Sequence, residues 1–244
     1  MTQDDAMQGP VMAPVLAIVA DGRPDATVTA VAEALAAVLN GRVKLLPITS
    51  GTSVRHAEAR VVAELGPQDG MLLVVVGRDA PVPLLWQSLA RHVQAPVVVV
   101  PPGDGTSQVA LNRLLIPLNG SAEATATVAE TVELFVRAGT DLLVLHVFDE
   151  TTAPRFWDQA AHEPHAWEQE FLARFVGQPG ARLELRRGRP DEHVLDIAGT
   201  ERVDLIAPGW SRHLAPGRAR TVRETIHDAT VPVMLVPIPA HLGT

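Results

Sequence analysis

The sequence predicts an α/β protein made of two doubly wound parallel-sheet domains in tandem, the first abbreviated. Three observations carry that prediction. Runs such as "LLVVVG" and "VVVV" are apolar throughout instead of alternating, which suits parallel strands covered on both faces. Segments with helical spacing separate these runs, and strand-helix alternation is the signature of a wound sheet. The chain also repeats itself: "VLAIVADGRPDATVTAVAEALAAVLNGRVKLLPI" and "LLIPLNGSAEATATVAETVELFVRAGTDLLVLHV" each read strand, Asx-Gly turn, helix, glycine stop, strand. Asp21-Gly22 falls on Asn119-Gly120 and Gly41 on Gly139, both 98 residues on, so one gapless register is expected across the unit.

In chain order, residues 1–12 read as a disordered arm and 13–101 as the first domain. The helix "ATVTAVAEALAAVLN" stops at Gly41, and a single helix, "SVRHAEARVVAEL", fits between the second strand and "LLVVVG". The loop then runs through "RDAPVP" into a helix, and "RHVQAPVVVVP" closes the half. Residues 102–110, around "PPGDGTSQ", read as a linker. The second domain covers 111–238, with a tail at 239–244. Between its second strand and "DLIAPG" it fits two helices and a strand: "WEQEFLARFV", "ARLELRR" and "PDEHVLDIA". Pro190 suits the first helical position, and the acids Asp191 and Glu192 behind it suit the helix dipole.

Bulk properties exclude several function classes. A chain of 244 residues with 47% hydrophobic residues can bury a sizeable core. A net charge of -8 with no basic tract argues against nucleic acid as a partner. The absence of cysteine removes disulfides, thiolate metal sites and a cysteine nucleophile. The N-terminal "MTQDDAMQGP" is acidic where a secretory signal would be basic, and the apolar runs are too short to span a bilayer. A soluble, cytoplasmic protein without membrane partners is expected.

The ordered motifs from Leu114 to Pro237 resemble a universal stress protein domain. "LLIPLNGSAEA" is similar to that family's opening strand and Asp-Gly-Ser turn, "LLVLHV" to its second strand and "RRGRPDEHVLDIA" to its third strand and following helix. "DLIAPG" resembles its fourth strand, and "HDATVPVMLVP" its closing helix end and fifth strand. The first half resembles the family more weakly, through Asp21-Gly22, "VVVG" and "RHVQAPVVVVP". The resemblance implies a tandem with an adenine-nucleotide alpha hydrolase-like fold. It also implies an intramolecular pseudo-dimer packed through the last strands, with a homodimer as a further option.

Many members of that family bind ATP with a Gly-x2-Gly-x9-Gly-Ser/Thr loop after the fourth strand, where glycines let backbone N–H groups approach the phosphates at a helix N-terminus. In "APGWSRHLAPGRART" Gly209 matches the first glycine, but Arg212 stands at the second and the Gly-Ser pair falls on Ala219-Arg220. Gly217-Arg218 could replace that pair by a shift of two residues. The adenine-contacting aspartate of the family is Asn119 here, and the first half keeps only Asp21 and Gly77. The loop has gained Arg212, Arg218, Arg220 and Arg223, which either aim guanidinium forks at an anion or pair with acids such as Glu224 and Asp228. Two functions follow. One is a non-catalytic, stress-linked regulator or interaction module with a protein partner and a structural first half. The other is a switch binding ATP, another adenine nucleotide with magnesium, or a small anion, held by Asn119, Val147, Pro208, Gly209, Arg212, Gly217, Arg218, Arg220 and Thr221. Enzymatic activity would be at most slow ATP hydrolysis, with no catalytic residue and no metal ligand assigned.

Other constellations read as structural. His146, Asp149, Glu150, Asp158, His162, Glu163 and His165 gather metal-capable types, but Pro164 interrupts any helical face and a solvated loop is expected. "GWSRH" lacks the glycine two residues after Ser211 that a nucleophile elbow needs. "GDG" at Gly103 to Gly105 lacks the third glycine of a dinucleotide loop. Phe148, Phe156, Trp157, Trp167, Phe171 and Phe175 crowd one region. Trp167, Phe171 and Phe175 should share a helix face in the core, while Phe156 and Trp157 are free to form a lid or a partner patch.

Overall fold

The computed structural model describes residues 14–22, 25–66, 73–103, 109–118, 122–148, 162–177, 180–212 and 218–238. The first half holds β1 (Pro14–Ala20), α1 (Ala26–Val38), β2 (Arg42–Ile48), α2 (Val54–Leu65), β3 (Leu73–Gly77), α3 (Leu85–His92) and β4 (Val97–Val100). The second holds β5 (Arg113–Pro117), α4 (Ala122–Arg137), β6 (Asp141–Phe148), α5 (His162–Phe175), β7 (Arg182–Arg187), α6 (Pro190–Thr200), β8 (Leu205–Ile206), β9 (Gly209–Trp210), α7 (Arg218–Asp228) and β10 (Val233–Pro237).

One sheet runs through both halves in the order β2-β1-β3-β4-β10-β8-β5-β6-β7, with β9 beside β10. Each half is parallel within itself; only β4 and β10 are antiparallel, with Val233 on Val99, Met234 on Val98 and Leu235 on Val97. The halves therefore meet through their last strands. Central strands β3 and β4 are buried at every position, as their unbroken valine runs require. Two apolar layers flank the sheet. One packs Leu16, Ile18, Val74 and Val76 against α2 and α3, and continues through Leu115 and Ile206 to α6 and α7. The other packs Val15, Ala17 and Val19 against α1, and continues through Leu114 and Ile116 to α4.

Local chemistry sets the helix starts. Asp25 accepts hydrogen bonds from the N–H groups of Thr27 (3.0 Å) and Val28 (3.2 Å) as the N-cap of α1. Ser53 caps α2 through the His56 N–H, and Pro190 opens α6 with Asp191 and Glu192 in its first turn. α5, β7 and α6 stand where two helices and a strand were expected, and the first half has α2 alone there.

The strand-helix-strand units of the two halves correspond in a register one residue beyond the expected one. Val15, Ala17 and Val19 face α1, whereas their counterparts facing α4 are Leu114, Ile116 and Leu118, an odd spacing. At the helix ends, the Gly41 N–H donates to Ala36 O and the Thr140 N–H to Phe135 O, and the left-handed residues are Asn40 (φ 50°) and Gly139 (φ 83°). The working offset is thus 99. An offset of 98 would turn every strand side chain to the opposite face. The turn at Asp21-Gly22, with Gly22 at φ 74°, simply follows a longer strand.

Candidate functional site

The C-terminal ends of β5 and β8 form a switch point: the chain leaves β5 towards β6 on one side and β8 towards β10 on the other. Such crevices are where wound sheets bind ligands. A cleft of about 160 Å³ opens there. Pro117 and Leu118 follow β5, Leu145 and Val147 lie on β6, and Pro190 and Val194 come from α6. Pro208, Gly209, Trp210 and Ser211 follow β8, Thr221 and Val222 lie on α7, and Ile238 follows β10. Among the described residues the walls are apolar apart from the Ser211 and Thr221 hydroxyls, and the volume matches an apolar cavity that holds one benzene-sized ring.

The segment after β8 is bonded into the sheet. Val236 N–H donates to Pro208 O (3.2 Å) and Ile238 N–H to Trp210 O (2.7 Å), making β9 a short rung beside β10. Trp210 is buried, and its indole Nε1–H donates 2.8 Å to Ala90 O in the last turn of α3. A Cβ on Gly209 would lie 3.3 Å from Ile238 Cδ1, so glycine here lets β9 approach the chain beyond β10.

Of the expected ligand residues, Val147, Pro208, Gly209 and Thr221 line the cleft. Asn119 and Gly217 lie outside the described residues, as does the Arg218 side chain. Arg212 sits at φ 61° and donates to Gln94 Oε1 of the first half. Burial pulls its guanidinium below the ordinary arginine pKa, and its buried Nε has no hydrogen-bond partner among the described residues. Arg220 donates to Glu224 at 2.7 Å and lies 3.7 Å from Asp191, and the Glu224 bond raises its pKa. Asp191 also takes Arg189 at 2.5 Å. Burial alone would push its carboxyl up, but the side-chain hydrogen bond with Glu224, its backbone bond and Arg189 hold it below the usual carboxylate value.

The first half has a switch point of its own between β1 and β3. Gly77 lies beside the Asp25 carboxylate that caps α1, and Asp21 accepts from the Thr49 hydroxyl at 3.3 Å. The next residue, Arg78, reaches into the second half: its Nη1 donates to Ile226 O (2.9 Å), His227 O (2.5 Å) and Ala229 O (3.2 Å), at the C-terminus of α7. Sequence reasoning missed Arg78 and Trp210, whose partners lie more than a hundred residues away. It also missed Pro117, Leu118, Leu145, Pro190, Val194, Val222 and Ile238 as cleft walls; their apolar character marked them only as core.

His146 is a core histidine, with Nδ1 2.9 Å from Leu118 O and its ring 5.0 Å from that of Phe171. Phe148 and Phe171 are buried. Asp149, Glu150, Asp158, Phe156 and Trp157 lie outside the described residues, as do the side chains of His162, Glu163, His165, Trp167 and Phe175. Among the described residues, no group of three His, Asp or Glu side chains could hold a metal ion. No helix among them is long and apolar enough to cross a membrane.

Comparison with known proteins agrees with the fold. The universal stress protein family model matches residues 111–237. A functionally unknown protein of Pseudomonas aeruginosa PAO1 is 13% identical, over 93% of this chain and 93% of that one, with a TM-score of 0.62. A universal stress protein from Archaeoglobus fulgidus DSM 4304 is 12% identical, over 86% of this chain and 73% of that one, with a TM-score of 0.56. A universal stress protein in complex with cAMP is 13% identical, over 53% of this chain and 98% of that one, with a TM-score of 0.42. For the first two of these structures, likeness at such identities is one of fold. No curated protein matches the chain.

Proposed function

The chain belongs to the universal stress protein family, and from that premise we propose that it acts without turnover, as a tandem-type regulatory or interaction module in the stress response. The observation that carries this reading is the fate of the segment after β8. Where nucleotide-binding members are expected to wrap phosphates, this chain runs as β9 beside β10, buries Trp210 against α3 and gives Arg212 to Gln94. Arg220 is likewise committed to Glu224 and Asp191. An arginine serving a phosphate would have to break these pairs first. The antiparallel β4-β10 seam supports an intramolecular pseudo-dimer in which the first half is structural.

A second reading, an adenine-nucleotide or anion switch, is favoured by one observation: the apolar cleft lies at the switch point, with Thr221 in the first turn of α7. Titration calorimetry with ATP and magnesium, run beside thermal unfolding, separates the two. A native-state ligand at about a hundred times its Kd adds about 2.7 kcal/mol of stability. The first reading expects neither heat nor a melting shift at millimolar ATP. Saturable binding weakened by Arg220→Ala would overturn it in favour of the switch.

A further inference from the structure

The described walls of the cleft are poor in the groups that hold an anion. Three of them are proline, Pro117, Pro190 and Pro208, and none of these has a backbone N–H to offer. Pro190 stands at the first position of α6 and Pro208 shortly after β8, where a helix start or a glycine loop would direct N–H groups at phosphate. Trp210 has given its indole N–H to Ala90 O, so ring surface is what it presents to the cleft. Beside Pro190, Arg189 pairs with Asp191 at 2.5 Å and Glu192 at 3.5 Å, while Arg220 pairs with Glu224 at 2.7 Å and Asp191 at 3.7 Å. That network sets two guanidinium groups against three carboxylates, so an anion brought to it meets a surplus of negative charge. The polar side chains on the described walls are Ser211 and Thr221, whose hydroxyls can each donate one hydrogen bond and accept others.

We infer that this cleft binds an uncharged, ring-sized apolar molecule carrying one hydroxyl, with the ring against Trp210 and the prolines and the hydroxyl at Ser211 and Thr221. The inference rests on the reading in which the segment after β8 no longer serves a nucleotide. Size agrees with it, since about 160 Å³ suits a single ring. So does the chemistry of the walls: an apolar ring loses only its contact with water, and two hydroxyls are enough to satisfy one hydroxyl of the ligand. A carboxylate or phosphate on the same ring would have to shed its water beside arginines that are already paired. Bound without turnover, such a molecule is what the module would sense.

Phenol is the probe, with toluene, benzoate and ATP beside it, titrated into the full-length protein by calorimetry and followed on the ligand by saturation-transfer NMR. Phenol should bind saturably at one site. Toluene, which lacks the hydroxyl, should bind about three- to tenfold more weakly, and benzoate at least about tenfold more weakly than phenol. Joint Ser211→Ala and Thr221→Val substitution keeps the shape of the wall and should bring phenol down to the level of toluene. Val147→Phe narrows the cleft from β6 and should remove both, with the unfolding transition showing that the variant is folded. The inference is overturned by no saturable phenol binding, by benzoate binding as tightly as phenol, or by phenol binding that either variant leaves unchanged. ATP decides the underlying reading separately. If ATP binds and phenol does not, both fall; if neither binds, the reading without a nucleotide stands and this inference alone falls.

Discussion

Replacing Arg78 by alanine removes the C-terminal cap of α7. The last carbonyls of a helix have no partner within it, and here one guanidinium nitrogen serves those of Ile226 and His227 and also Ala229 just beyond. A hydrogen bond from a charged donor is worth about 1.5–3 kcal/mol, and a cation at a helix C-terminus adds about 0.3–1 kcal/mol. The three carbonyls share one nitrogen and water can reach some of them, so the sum is far from additive; the loss should be about 2 kcal/mol. For a chain of this length that is a melting shift of about 4–8 °C. Arg78→Lys should recover part of it, since an ammonium keeps the charge but not the fork. Thermal unfolding beside Arg55→Ala, an exposed arginine on α2, is the assay. Hydrogen exchange should show faster opening of the last turn of α7 than of α1. A melting point within about 1 °C of wild type would refute the cap as a source of stability.

Trp210→Phe keeps most of the apolar volume but strips Ala90 O of its donor, and should cost about 1–3 kcal/mol, read as a lower denaturant midpoint at unchanged slope. Gly209→Ala should cost about 1 kcal/mol through crowding of Ile238, with the melting point as the readout. Glu201 is held below its ordinary value of 4.5, first by the hydrogen bond from Arg182, against burial, and then by the charges of Arg182, Arg113 and Arg186. A depressed folded pKa gives stability that is complete above the unfolded value and is lost as pH falls through the folded one. Arg182→Ala should therefore raise the Glu201 carboxyl titration, followed by carboxyl-carbon NMR, and flatten the acid-side loss of stability below about pH 4.5.

Much of the architecture was legible because it rests on local chemistry. The valine runs of β3 and β4 suit strands covered on both faces, and Pro190 with Asp191 and Glu192 suits the start of a helix. The register of the repeat was not legible. Matching Asp21-Gly22 to Asn119-Gly120 aligns turns, whereas the pleat follows which side chains meet which helix, a long-range fact. The arginines show the same limit. The Arg220–Glu224 pair, four residues apart on one helix, was foreseeable, but the reach of Arg212 to Gln94 was not.

The long-range contacts have a common logic. Arg78, beside the switch point of the first half, caps α7, and Trp210, beside the cleft of the second, donates to the last turn of α3. Each half thus completes a helix end that the other leaves open. Since the N-terminal part of α7 carries Thr221 and Val222 into the cleft wall, α7 is held by the first half at one end and borders the cleft at the other. Of the arginines after β8, Arg212 reaches the first half, whereas Arg220 pairs within the second. A ligand in the cleft would therefore touch a helix whose far end is held by the first half.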